Sequence, residues 1–429
     1  MTAGDLSLAA ARERDRRDPL RALRERFRVP ASTLYLDGNS LGLLSTDAEA
    51  SLARAVESWK ELGIRGWLEA DPPWFWYAER LGDLASRLVG AAADEVVATG
   101  TTTMNIHLLV SSFYRPTEGR RKIVADALNF PTDLYALRSQ LALRGADPER
   151  DLLVVESADG RTLDEADIEA TMGEDVALVF LPSVLYRSGQ LLDMARLCRA
   201  ARARSIPIGF DCSHSVGVVE HHLDEWGVDF AVWCGYKYLN GGPGAPAFLY
   251  VNRRHFGLGP ALAGWFGYAK ERQFDLRRHF EPQPDAGGWQ VSSPGILGAA
   301  PLLGALGLMD EVGIAAVESK SRQLTEYLID LADARLAVEP YGFEVGTPRE
   351  PHRRSGHIAL ERSSEAYRIG LALRARKVVP DFRPPNVIRL APAPLYTGFA
   401  DVWQVVQHIV EIVDDAQYEQ FDTRRQAIT

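Results

Sequence analysis

The chain has 429 residues, 46% of them hydrophobic, with 58 acidic against 48 basic side chains and a formal charge of -10. That length holds one large core and a smaller unit, and the acidic balance argues against a nucleic-acid partner, which favours a basic face. No apolar run is long enough for a membrane span, Ala11–Pro19 is charged and lacks the apolar segment of a signal peptide, and the three cysteines (Cys198, Cys212, Cys234) form neither a disulfide framework nor metal-ligand spacing. A soluble cytoplasmic protein without metal, membrane or nucleic-acid partner is the expectation.

In chain order, residues 1–30 read as an amphipathic arm, with Leu20, Leu23 and Phe27 at helical spacing. Leu34–Gly42 runs from a short apolar piece into Asp37-Gly-Asn-Ser40, a turn signature. Residues 46–90 read as helices around Trp59, Trp67, Trp74, Phe75, Trp76 and Tyr77, the kind of cluster found in cores and subunit interfaces.

From about residue 95 strands and helices alternate. Strand-like runs occur at Glu95–Thr99, Lys122–Ala125, Leu152–Val155, Ala177–Leu181, Pro207–Phe210, Phe230–Cys234 and Ala247–Val251. Helical stretches such as Asp133–Arg144, Leu163–Thr171 and Asp193–Arg204 separate several of them. This pattern predicts an α/β fold with a mostly parallel sheet covered by helices on both faces. Residues 300–340 then read as one long helical stretch, followed by strands His357–Glu361 and Asn386–Leu390 and a last helix from about Asp401 to Asp414. The expected organisation is an arm over 1–45 joining the small domain, a large domain over 46–300 and a smaller α+β domain over 301–429.

Ligands of such sheets sit beyond the carboxyl ends of the strands. After the first strand, Thr99-Gly-Thr-Thr-Thr-Met-Asn105 leads into a helix. Its free backbone N–H groups suit an anion, with Thr102 and Thr103 as further donors, and an ordinary helix cap is an equal reading. After the second, Phe130-Pro-Thr-Asp133 offers an aromatic for stacking on a planar ring, while Asp133 also suits a helix cap. After the strand ending at Phe210, Asp211 precedes His214 by three residues. An acidic residue there suits a protonated pyridine nitrogen. A metal site lacks a third ligand nearby, and a serine triad lacks its Gly-x-Ser-x-Gly turn.

Lys237 stands between the apolar run Phe230–Cys234 and the turn Gly241-Gly-Pro-Gly244, flanked by Tyr236 and Tyr238. A lone ammonium beside an apolar strand is costly unless paired or neutralised, and a desolvated lysine can form a Schiff base with an aldehyde cofactor. A snorkelling lysine is the plainer reading. Only six of the 48 basic residues are lysines, and Lys60, Lys122, Lys270, Lys320 and Lys377 each have a charged residue within two positions, as surface lysines do. Lys237 has none, and it follows Asp211 by 26 residues, about one strand–connection–strand unit.

Taken together, Leu36–Gly42, Thr103-Met-Asn-Ile-His107, Phe130–Asp133, Gly209–His214, Trp226–Ala231, Tyr236-Lys-Tyr-Leu-Asn240, Gly264-Trp-Phe-Gly267 and Ile388–Tyr396 resemble the kynureninases, in order and over essentially the whole chain. The resemblance implies the aspartate-aminotransferase fold type (PLP-transferase fold type I), pyridoxal 5'-phosphate (PLP) as cofactor, and hydrolysis of L-kynurenine, or 3-hydroxykynurenine, to the anthranilate and L-alanine. It implies a homodimer with shared sites and a place in tryptophan catabolism, the kynurenine pathway and NAD biosynthesis. On matching positions it makes Lys237 the Schiff-base lysine and α-carbon base, with Tyr236 reaching the phosphate. Thr102, Thr103, Phe130, Thr132, Asp133, Asp211, His214, Trp265 and Ser293 would contact the cofactor, Trp265 across the dimer. Arg389, Asn39, Ser40 and Trp67 would contact substrate, Arg389 through its carboxylate. Pro182 and Ser183 depart from the family where a polar cofactor contact is expected. Two alternatives stand beside this reading: a cysteine desulfurase-like PLP enzyme, for which no cysteine is an obvious nucleophile, and a catalytically silent PLP-fold binding module, which a missing lysine or aspartate would have favoured.

Overall fold

The computed structural model describes residues 5–424. Seven strands, β1 (Val96–Ala98), β2 (Lys122–Asp126), β3 (Leu152–Val155), β4 (Val176–Pro182), β5 (Ile208–Asp211), β6 (Phe230–Cys234) and β7 (Ala247–Val251), form one sheet in the order β1-β7-β6-β5-β4-β2-β3. All neighbours are parallel except β7, which runs antiparallel to both β1 and β6. Both faces are buried, and the alternation of side chains divides the strands between two cores. Phe230 and Val232 pack on one side with Ile123, Ala125 and Phe180. Ala231 and Trp233 pack on the other with Val124, Val179 and Phe210. Two-sided burial is why these strands read as continuous apolar runs.

The long helical stretch of the sequence is two helices, Ile296–Val312 and Ile314–Arg335, meeting at 83° at Gly313. Gly313 has φ +80, a conformation glycine adopts without a Cβ penalty, so it ends one helix and starts the other. No single helix among the described residues is long and apolar enough to cross a membrane.

The second sheet has four antiparallel strands, including Phe343–Val345 and Asp381–Arg383 beside the two expected ones. Its core takes in Ala11 and Leu36 from the N-terminal segment, whereas Phe27 and Leu43 pack into the large core. The Asp15 carboxylate accepts from the free N–H groups of Phe399 and Ala400 at 2.6 and 3.0 Å, capping helix Phe399–Asp414 from another part of the chain.

Candidate active site

The carboxyl ends of β2, β5 and β6 converge. Asp211 is the last residue of β5, in register with Pro182 and Val232 on its neighbours. Beyond β6 the chain folds back on itself: Asn240 N donates to the Lys237 carbonyl at 2.9 Å, and Gly241 N to that of Gly235 at 2.9 Å. The Asp37–Gly42 turn docks on this loop through Gly42 N to the Tyr236 carbonyl at 2.8 Å. A Cβ on Gly42 would stand 2.4 Å from the Lys237 carbonyl oxygen, so only glycine permits this approach.

Lys237 is half-buried, and its Nζ lies 3.0 Å from His214 Nε2. Burial first, then the Lys237 cation, holds His214 well below the usual histidine range, so it faces the amine as neutral imidazole. Burial raises Asp211, and the Lys237 charge opposes that rise. Asp133 is fully buried with neither carboxylate oxygen hydrogen-bonded, and burial, then Asp211 and Asp126, push it far up. Asp126, at the end of β2, is pushed up to about 7, mainly by burial.

Two helices begin beside this cluster, Thr102–Phe113 and Pro131–Leu143. Pro131 opens the second, where its missing N–H costs nothing. The Thr103 and Thr132 hydroxyls meet at 2.9 Å near these two starts. Phe130 leaves 45% of its surface exposed, with Tyr186 edge-on at 5.3 Å.

These residues fit the expected cofactor. Hydroxyls at paired helix N-termini suit a phosphate, an open aromatic face suits a planar ring, and a buried acid suits a pyridine nitrogen. The unpartnered buried atoms Asp133 Oδ1 and Oδ2, Asn129 Nδ2, Ser213 Oγ and His214 Nδ1 mark a surface built for a further polar group. Ser183 adds nothing to it. It is fully buried, with its hydroxyl on the Asp211 carbonyl (3.1 Å) and on Ser215 Oγ (2.7 Å), which in turn meets His221 Nε2 (2.9 Å).

Arg389 is 1% exposed, and its fork is largely occupied. Nη2 meets Ser40 Oγ at 3.1 Å and pairs with Asp381, Nη1 donates to the Tyr186 carbonyl, and Nε reaches the Asn39 amide oxygen at 2.9 Å in the amide orientation that satisfies both groups. Asn39, Ser40 and Arg389 therefore form one cluster. His357 adjoins it: fully buried, both ring nitrogens without a hydrogen bond, its ring 5.7 Å from that of His214.

Among the described residues, no hydrogen bond, ion pair or ring contact joins Trp67, Trp265 or Ser293 to this cluster. Trp67 packs on Trp74 and Phe266 at 6.0 and 5.8 Å, Trp265 is 46% exposed against Phe274, and Ser293 is exposed. Lys270 ties the Phe266 turn to the aromatic segment: it pairs with Glu79, donates to the Phe75 carbonyl at 2.7 Å and lies over the rings of Phe75, Trp76 and Phe266.

Two of the lysines expected at the surface are inside. Lys270 and Lys320 have charged neighbours in sequence yet are 4% and 6% exposed. Each is buried against an acid from another segment, Glu79 and Asp18, so charge nearby in sequence does not establish exposure. Sequence reasoning also passed over Asp37, Asp126, His357 and Asp381. Asp381 alone left a signal: it pairs with Arg389 across a hairpin whose turn contains Pro384-Pro385-Asn386.

Residues 317–409 match the family model of the kynureninase C-terminal domain. A kynureninase of Geobacillus thermodenitrificans is 51% identical over 427 residues, covering 100% of this chain and 99% of the relative. One of Bacillus anthracis is 49% identical over 418 residues, covering 97% of each. Among solved structures, an apo cysteine desulfurase of Thermococcus onnurineus NA1 superposes with a TM-score of 0.78 at 16% identity, over 92% of this chain and 98% of that one. The Escherichia coli cysteine desulfurase CsdA gives 0.75 at 18%, over 92% and 98%. At such identities these two show a shared fold, fold type I, and no more. Full-length identity near one half decides the family: the chain belongs to the kynureninases.

Proposed function

We propose that the protein hydrolyses L-kynurenine to anthranilate and L-alanine with pyridoxal phosphate as cofactor. The convergence of Lys237, His214 and Asp211 at adjacent strand ends, in a chain 51% identical to a kynureninase, carries this reading. Lys237, Asp211, His214, Phe130, Thr102, Thr103, Thr132, Asp133 and Tyr236 hold the cofactor. When bound, that group would supply the electron sink that lets the substrate's bond between its β-carbon and its carbonyl γ-carbon break. Lys237 receives the proton of that carbon, and neutral His214 at 3.0 Å leaves its amine free of a competing carboxylate. Asp211 holds the ring nitrogen's proton. Arg389, set by Asn39 and Ser40, orients the substrate carboxylate. One water is consumed per bond cleaved, its oxygen passing to the carboxylate of anthranilate.

Trp265 and Ser293 are exposed within one chain, which supports a homodimer in which they complete the partner's site, with Trp67 beside the substrate ring. A mass of one chain in solution would overturn that arrangement. We place the reaction in the cytoplasm, in tryptophan breakdown towards NAD precursors. The desulfurase reading has less support: Cys198, Cys212 and Cys234 are all buried, and burial pushes the Cys198 thiol up to about 12, so no thiolate is on offer. The deciding test adds L-kynurenine to the purified yellow protein and follows anthranilate fluorescence, with 3-hydroxykynurenine and cysteine in parallel. Sulfide from cysteine without anthranilate would reverse the assignment.

A further inference from the structure

Arg389 sits in a cluster whose charges already balance. Asp381 pairs with both Arg389 and Arg383, the latter at 3.1 Å. Asp37 makes the second acid, joined to Arg389 through Asn39, whose amide donates to Asp37 Oδ1 at 3.2 Å and accepts from Arg389 Nε at 2.9 Å. Two carboxylates face two guanidiniums, with Asp381 and Arg389 only 2% and 1% exposed at the side chain. A substrate carboxylate arriving here adds a charge that nothing present neutralises. Burying an unmatched charge is costly, and a group that can change its protonation does so instead.

We propose that Asp37 takes up a proton from solvent when the substrate carboxylate binds at Arg389, so that the cluster stays neutral. This rests on the reading that Arg389 receives that carboxylate. Asp37 is the member placed to respond. Asp381 has two guanidiniums in direct contact, whereas Asp37 has none. The groups around Asp37 are Ser40 on its own turn, Tyr35 before it, Asp381, Arg383 and Arg389 from the small sheet, Tyr238 beside Lys237, and Tyr396. The three tyrosines are all pushed upward by burial and stay neutral, so they supply no counter-charge. Burial first, then repulsion from Asp381, already raises Asp37 to about 6, against the opposing pull of Ser40 and the two arginines. A further negative charge shifts it in the same direction.

The probe is 3-benzoylpropionate, an aryl ketone acid with no amine, which reaches the carboxylate site of the holoenzyme without exchanging at the cofactor. Calorimetric titration in phosphate and in imidazole buffers at pH of about 7.5 reads the proton count. The wild type is expected to take up roughly one proton per ligand, and affinity should rise as pH falls from about 8 to 6, approaching tenfold per unit. In Asp37→Asn the ligand should still bind, with uptake gone and the pH dependence flat. Binding without uptake in the wild type, or equal uptake in Asp37→Asn, overturns the proposal and leaves the carboxylate role of Arg389 standing. No binding to the wild type overturns that role itself, and the proposal with it.

Discussion

Lys237 and Lys270 both hold an amine inside the protein, and their surroundings differ in one decisive respect. Lys270 is closed off: its side chain is 0% exposed, paired with Glu79, bonded to the Phe75 carbonyl and covered by three rings. Lys237 has no ion pair among the described residues. Its nearest polar partner is a neutral histidine, and the acids around it are raised and only partly bonded. A structural lysine has its desolvation offset inside the chain. Under the proposed function, the incomplete surroundings of Lys237 are those of a lysine that awaits a reactant, and the unsatisfied groups around it are stability given up for that purpose.

The contrast makes distinct demands on variants. Replacing Lys237 by Ala should lower anthranilate production by about 10³-fold or more, while the urea midpoint of the cofactor-free protein stays close to wild type. Turnover near the wild-type rate would remove Lys237 from the chemistry. Replacing Lys270 by Met should act the other way, destabilising by about 2 kcal/mol because half-buried Glu79 loses its cation and the buried lysine's packing and bonds go with it; urea unfolding reads this directly, and an unchanged midpoint would mean the pair is worth nothing.

Asp126 gives a smaller effect with a definite sign. The folded chain keeps its proton up to about 7, whereas the unfolded value is 3.8. Folding therefore takes up a proton between these values, and stability declines as pH rises through that window. Asp126→Asn should remove the decline, leaving the variant more stable than wild type above neutrality and equal to it below pH of about 4. Curves that stay parallel across this range would contradict it. Smallest is Thr103→Val, which deletes one hydroxyl of the 2.9 Å pair with Thr132. A loss of about 1 kcal/mol in cofactor binding is expected, seen as several-fold faster release on dialysis.

Much of the candidate site was legible because strand ends announce themselves. Asp211, Lys237, Phe130 and Thr103 each come within five residues after an apolar run, and the fold carries such positions to one edge. Lys270 was misjudged because its partner, Glu79, is 191 residues away. Asp381 was missed because its three-residue strand leaves little periodicity, and His357, at the start of an expected strand, because nothing in the sequence marks its burial beside His214. Trp265 and Ser293 were named from resemblance, and within one chain they stand exposed.

The sequence by itself determined the alternating α/β order, the ordered residues at the strand ends and the family, since local apolar pattern and local motif are carried by neighbours along the chain. Tertiary structure alone decided which charges are matched. The antiparallel β7, the Lys270–Glu79 pair and the balanced acids and arginines around Arg389 all arise from segments distant in sequence. Electrostatic cost depends on what surrounds a group in space, and sequence spacing does not reveal that.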